Sequence, residues 1–457
     1  MAVKAARRSA TANGGAVGVA VVGCGVIGSA VCAALLLEGG TRGLLRRRSG
    51  VTVMLRHVVE RDQVKAAEAG IPRKVMTADF GRVLTDPATQ VVVELIGGLE
   101  PARTFVLQAL RAGKHVVTAN KYLLAVHGRE IFAAAKRAGR CVQFEASCGG
   151  AIPIIGALTE SLLANEITRV VGIVNGTCNY ILTQMTRNGE SYADALAGAQ
   201  AAGFAERDPT FDVNGTDSAH KLAILSSLAF GVDVPLEEIE VSGIDRLCDV
   251  DLRFAKEFGY VCKLLAIGEK VDARGEGGGA GAGEGALSLC VHPTFVKNDQ
   301  LLANVHGSFN AISVAGHAAG ETVYFGRGAG GKPTSSAVIS DILEIGLGTA
   351  PLLFARLPLL TKKAPGAFVA RREAASRNYL RVTALDVPGV MGRVANILSG
   401  HGISLAGINQ HESQAGAAVP IVIMTHGVKE GDVAEAMKEI DALEGITART
   451  VRIRVLG

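Results

Sequence analysis

The chain has 457 residues, 48% of them hydrophobic and 20% charged, a balance that predicts about three globular domains and excludes intrinsic disorder. A formal charge of +4 with 4% aromatics and no Trp leaves no basic stripe with stacking groups, which excludes a nucleic-acid-binding surface. The 8 cysteines form no CxxC pair, so neither zinc nor a disulfide framework is expected, and they read as buried free thiols of a reducing, cytoplasmic setting.

Lys4, Arg7 and Arg8 meet no acidic residue before Glu38 and read as a short tail, not a targeting peptide. Residues 16–37 are apolar for long enough to imitate a membrane span. Gly18, Gly23, Gly25 and Gly28 divide them instead into strand, turn and helix, and no membrane contact is expected. The turn, Gly23-Cys-Gly-Val26-Ile27-Gly28, is a GxGxxG pattern. Gly23 makes the turn, Gly25 lets backbone approach a pyrophosphate, and Gly28 permits close packing of helix on strand. Apolar runs at 51–60, 91–96 and 115–118 alternate with helical segments, which predicts a doubly wound sheet. A ribose-binding acid is expected about twenty residues past the glycines. Glu60 stands farther on, displaced by a Gly/Arg-rich insert at 39–50. Glu60 suits the ribose hydroxyl of NAD and Arg61 the 2′-phosphate of NADP, and the sequence leaves both open.

Thr118-Ala-Asn-Lys121 puts an amide and an ammonium at the carboxyl end of a predicted strand, where open α/β sheets hold their ligands, although a solvated loop lysine has the same sequence. Glu145-Ala-Ser-Cys148-Gly-Gly150-Ala-Ile152 is a Gly-rich crossing that either closes a carbonyl-lined cation site or acts as a hinge. Residues 173–181 predict a strand whose polar end caps a helix. Residues 203–221 hold Glu206, Asp208, Asp212 and Asp217 ahead of an apolar helix at 222–230, with Lys221 one turn beyond Asp217. Read blandly, Asp217 caps that helix and Lys221 is solvated. Read chemically, a loop delivers carboxylates, amide dipoles and a lysine to one polar ligand, so this segment is the predicted active site. Residues 275–285, Gly at seven of eleven positions, predict a mobile hairpin tip or a disordered insert. A second glycine loop, 326–336, feeds a helix and is expected to return to the cofactor.

Six of these stretches, in this order, resemble homoserine dehydrogenase: residues 23–28, 118–121, 145–153, 175–180, 203–221 and 326–337. Departures are Cys148 and Cys178, where the family more often has Val and Thr, Ala151 in place of a glycine, and Arg327 in a loop that usually has Pro or Ala. From 377 on, Leu-Arg-Val, Asp386-Val-Pro-Gly-Val and Gly-Ile-Ser resemble an ACT domain, a βαββαβ amino-acid-sensing fold, reached through a linker at 351–376.

The resemblance implies a Rossmann-type dinucleotide-binding domain (1–148, completed by 322–350), an α+β catalytic and dimerisation domain (149–321) and a C-terminal ferredoxin-like ACT domain (377–457). It implies NAD(P)-dependent interconversion of L-homoserine and L-aspartate 4-semialdehyde in a homodimer or homotetramer, with L-threonine as effector near Asp386–Met391, Asn409 and Gln410. Lys221 is the implied proton donor, with Asp217 and Lys121 beside it. Glu206 and Asp217 hold the substrate ammonium. Gly23, Gly25, Val26, Ile27, Gly28, Arg61, Thr118, Lys121, Gly203, Gly326 and Gly328 line the cofactor, and Glu145, Cys148, Gly150 and Ile152 hold Na+ or K+. Another semialdehyde dehydrogenase on the same scaffold, or a sensor that has lost catalysis, would share the glycine loops.

Overall fold

The computed structural model describes residues 16–37, 41–245, 247–271, 285–361, 363–410 and 417–457. It divides into two compact units. The first comprises residues 1–170, 220–237 and 310–366, and the second 171–219, 238–309 and 367–457. Residues 149–170 and 220–237 thus pack with the dinucleotide-binding sheet.

That sheet is built from β1 (Ala16–Val22), β2 (Thr52–Val59), β3 (Met76–Thr77), β4 (Val91–Glu94), β5 (His115–Thr118) and β6 (Val142–Gln143), in the order β3-β2-β1-β4-β5-β6. β1 pairs in parallel with both β2 and β4. Its run of buried Val and Ala is what a strand covered on both faces requires. The order reverses between β1 and β4, which is where such sheets bind ligands. The predicted third strand stops at Glu94 instead of residue 96, because Glu94 Oε1 accepts the amides of Ile96 and Gly97 and turns the chain. Within the insert at 39–50, Thr41–Ser49 is a helix with no buried residue. Leu and Arg favour helix locally, although no apolar face announces it.

β7 (Ile167–Ile173) leads to the helix Gly176–Asn188, whose N-cap Asn175 accepts from Cys178 N, as the strand-then-cap reading requires. The helix Thr216–Phe230 is followed by β8 (Val232–Asp233) and β9 (Glu240–Val241). In the second unit β10 (Tyr260–Val271) and β11 (Ala286–Lys297) pair antiparallel, from Tyr260↔Lys297 to Val271↔Ala286. The predicted glycine-rich tip falls almost wholly outside the described residues. In the first unit β12 (Phe309–Gly316) neighbours β13 (Gly320–Arg327), and the helix Gly331–Leu347 packs on Val26–Leu36.

Residues 351–376 are not an irregular linker. Helices Thr349–Arg356 and Pro358–Thr361 are followed by β14 (Ala364–Pro365), which pairs in parallel with β8. The last module runs β15 (Ala375–Leu385), helix Val390–Gly400, β16 (Leu405–Gln410), β17 (Ala418–Thr425), β18 (Val428–Lys429), helix Glu430–Asp441 and β19 (Ile446–Val455), the expected βαββαβ succession. Leu380, Val382, Leu398, Ile421 and Val433 centre its core. β19 also joins β11 in parallel through Thr294↔Arg454 and Phe295↔Val455. Two buried ion-pair clusters accompany this contact. Arg381 reaches both oxygens of the fully buried Asp251 at 2.6 and 3.2 Å, and Tyr379 donates to the same carboxylate. Arg454 forks onto Glu430 at 2.8 and 2.7 Å and reaches Glu240 at 2.7 Å.

Six cysteines are buried as expected, but Cys290 is half-buried and Cys248 is exposed. No single helix among the described residues is long and apolar enough to cross a membrane. Gly331–Leu347 and Thr349–Arg356 reach that length only together, across an 83° bend.

Candidate active site

At the sheet's switch point, Gly23 has φ +97° and Gly28 lies so close that a Cβ on it would stand 2.0 Å from Gly23 O. No other residue fits either position. A Cβ on Gly25 would meet nothing within 4 Å, which leaves the turn open on its outer side. Val26, first residue of the helix, is 75% exposed, and the helix has no side-chain cap. The second glycine loop arrives at the same place, since a Cβ on Gly331 would lie 3.3 Å from Val26 O. The Gly331–Leu347 helix likewise starts without a side-chain cap, at Gly330 with φ +117°. Two helix N-termini with unsatisfied amides and a bare apolar residue thus share one open surface, as a dinucleotide pyrophosphate requires. The residues present fit NAD(P).

Glu60 ends β2 beside this turn. Its carboxylate accepts from Cys24 N at 2.8 Å, Arg61 N at 2.9 Å and Asp62 N at 3.2 Å. Burial pushes its pKa up, but these amides outweigh it and hold the group below the usual carboxylate range, hence ionised. Arg61 is exposed next to it. Thr118, expected at the cofactor, donates its hydroxyl to Glu94 and receives Asn120 N, so it holds the loop in shape. Asn120 caps the helix Lys121–Ala138, placing Lys121 at its first position.

Lys121 and Lys221 come together in the first unit. Tyr122 and His220, their chain neighbours, stack with ring centroids 4.7 Å apart at 16°. The fully buried Cys148 feels both ammonium groups. Burial, the larger influence, pushes its thiol up to about 12 while the two lysines and Ser147 pull it down. Cys148 Sγ also lies 3.9 Å from Lys221 O. Lys221 is only 8% exposed, so the solvated-charge reading fails. Tyr122 and His220 carried no signal in the sequence, because an aromatic stack between distant helices has no local pattern.

Glu145 is buried, and its carboxylate accepts Ile155 N and Gly156 N, both at 2.8 Å. Burial, assisted by Glu344, raises it to about 7. Asp341, whose Oδ2 accepts Glu145 N, is pushed well up by the same burial and by Glu145. The thiol of Cys148 is protonated, so only carbonyls of Cys148, Gly150 and Ile152 are left as cation ligands. Among the described residues no group of three or more His, Cys, Asp or Glu is placed to hold a metal.

In the second unit the amide of Asn175 donates to Asp212 Oδ1 at 2.8 Å and Asp217 Oδ2 at 2.9 Å, gathering two of the four predicted carboxylates. Asp217 is buried in the first turn of Thr216–Phe230. Asp208 instead accepts from Thr210 and shapes the loop. Glu206 is exposed, as is Gly203, with φ +74°. Gly326 and Gly328 are needed for close approach, since Cβ atoms there would meet Ile152 at 3.1 Å and the Asn310 amide at 1.9 Å.

The profile described as "Homoserine dehydrogenase, NAD binding domain" matches residues 23–145, that described as "Homoserine dehydrogenase" 153–343, and that of the ACT domain 378–445. Homoserine dehydrogenase of Pseudomonas aeruginosa is 41% identical over 93% of this chain and 98% of its own.

The chain belongs to the homoserine dehydrogenase family. The Synechocystis enzyme is 40% identical over 96% of this chain and 99% of its own. A homoserine dehydrogenase structure from Thiobacillus denitrificans superposes with TM-score 0.87 at 38% identity, covering 97% of this chain and 98% of that one. A hyperthermophilic archaeal homoserine dehydrogenase in complex with NADPH gives 0.58 at 26%, over 72% and 97%. The chain is thus an NAD(P)-binding oxidoreductase of amino-acid biosynthesis carrying an ACT domain.

Proposed function

We propose that the protein reduces L-aspartate 4-semialdehyde reversibly to L-homoserine with Lys221 as proton donor. The buried Lys221, which with Lys121 flanks the Tyr122–His220 ring stack and acts on Cys148, carries this reading. Bound NAD(P)H supplies the hydride. The carbonyl carbon would accept that hydride, the C=O bonding pair moving onto oxygen, and Lys221 stabilises the resulting negative charge and delivers a proton to that oxygen. Lys121 adds positive potential. Glu206 and Asp217 take the substrate ammonium. Glu60 accepts the adenosine ribose hydroxyls, and Arg61 takes a 2′-phosphate, so both cofactors are used.

We further assign 1–148 with 322–350 to cofactor binding, 149–321 to catalysis and dimerisation, and 377–457 to regulation by L-threonine in a cytoplasmic homodimer or homotetramer. Gln410 Nε2 donates to Asp386 Oδ1 at 3.2 Å, which supports an effector position at that turn. A monovalent cation is assigned to the carbonyls of residues 145–152, where Gly149 and Gly150 have positive φ. A spectrophotometric assay with aspartate semialdehyde, comparing NADH with NADPH, Na+ with K+ and threonine present or absent, tests these assignments. No turnover with either cofactor would refute the substrate. Indifference of the intact enzyme to millimolar threonine would refute the effector.

A further inference from the structure

Away from the residues assigned to catalysis, the first unit holds a cavity of about 180 Å³ between the helices Lys121–Ala138 and Thr216–Phe230. Leu124, Phe132, Ile224, Leu228 and Val234 form the apolar part of its wall. Gly128 keeps it open, since a Cβ there would touch only the Phe132 ring, at 3.7 Å. Ser227, Asp233 and Lys363 supply polar groups.

The backbone fixes Lys363 at this wall. The next residues, Ala364 and Pro365, pair in parallel with Val232 and Asp233, and Ala364 N donates to Gly231 O at 3.2 Å. The ammonium stands 5.7 Å from the centroid of the Phe132 ring. Among the described residues it has no hydrogen-bond or ion-pair partner. Burial pushes it down to about 8, with Asp233 pulling the other way. Asp233 itself has only a loose pair with Arg129 at 3.7 Å, from a side chain 86% exposed. The nearly buried Ser227 hydroxyl likewise has no partner among the described residues.

A desolvated ammonium resting on an aromatic face recovers part of its lost hydration, but a carboxylate would recover more. Lys363, Arg129 and Asp233 together leave a single positive charge, which accepts a monoanion or zwitterion and repels neither. Asp233, one residue along the same β-bridge, offers an anion to the other end of a zwitterion, and the apolar wall takes a hydrocarbon group. We propose that this cavity binds a free α-amino acid with an aliphatic side chain: carboxylate on Lys363, ammonium on Asp233, side chain against Phe132, Ile224 and Leu228.

Calorimetric titration of the full-length protein with L-leucine, 4-methylpentanoate and 3-methylbutylamine tests this. Leucine is expected to bind, and each analogue lacking one charge to bind about ten- to a hundredfold more weakly, the scale of one charge-assisted contact. Lys363→Met should weaken leucine by a similar factor, and Gly128→Leu, which fills the cavity, should abolish it. Asp386→Ala, in the ACT domain, should leave it unchanged. Absence of heat with leucine, or leucine binding retained in both cavity variants, or lost only in Asp386→Ala, would overturn the site. Equal binding of 4-methylpentanoate would overturn the amino-acid assignment.

Discussion

The ACT module and the cofactor turn both bury polar atoms, by opposite means. In the module, guanidinium groups close directly on carboxylates: Arg381 on Asp251, Arg454 on Glu430 and Glu240. At the cofactor turn, Glu60 is held by three backbone amides, and the surface beside it stays open at Gly25 and Val26. Charge that closes on charge makes architecture. Charge held by backbone next to open space is available to a ligand.

Breaking a closed pair should therefore cost most. Asp251→Ala leaves Arg381 buried without its carboxylate and is expected to destabilise the fold by about 3–5 kcal/mol in chemical denaturation, whereas the apolar double variant Asp251→Leu/Arg381→Met recovers most of it. At the catalytic residues stability should hardly move while chemistry does. Lys221→Ala should lower kcat by roughly 10²-fold or more with cofactor affinity intact, and near-normal kcat would remove it from the mechanism. Arg61→Ala should weaken NADPH by about 1.5–3 kcal/mol and leave NADH nearly unchanged in binding titrations. Equal losses would make Arg61 merely structural.

A pH slope is expected as well. Burial lowers the His115 pKa from 6.5 to about 4, and its Nδ1 accepts Cys141 N at 3.1 Å, which only the neutral ring can do. Below pH 6.5 the unfolded imidazole takes a proton that the folded one refuses. Stability contributed by this group is thus complete above 6.5 and declines as pH falls toward 4. Denaturation midpoints across that window should fall less steeply in His115→Asn.

What the sequence revealed follows the same division. The glycines at 23 and 28 meet backbone demands no other residue satisfies, and Gly328 leaves room for the Asn310 side chain, so their spacing exposes the turns. Strands such as β1 and β15 are legible because burial selects Val, Ile and Leu in short runs. Long-range charge pairs leave no such trace: Arg454 and Glu240 are 214 positions apart, and Asn175 meets Asp212 and Asp217 across 37 and 42. The helix Thr41–Ser49 escaped because it buries nothing. The helices at 349–361 hid in a stretch whose prolines and charges imitate a linker. Truncation after Pro351 would cut the helix Thr349–Arg356 and strip β19 from β11, so threonine sensitivity is tested by Asp386→Ala in the intact chain.

The uneven exposure of the cysteines has a practical use. Burial raises Cys32, Cys141, Cys148 and Cys262 to about 12, so maleimides and iodoacetamides would leave them untouched in the native protein. Cys248 is the exposed thiol, at the N-cap of Asp249–Glu257, the helix that carries Asp251. A fluorophore or spin label placed there on the unmodified sequence would sit three residues from Asp251, the partner of Arg381, and report on the ACT module without a cysteine-free background.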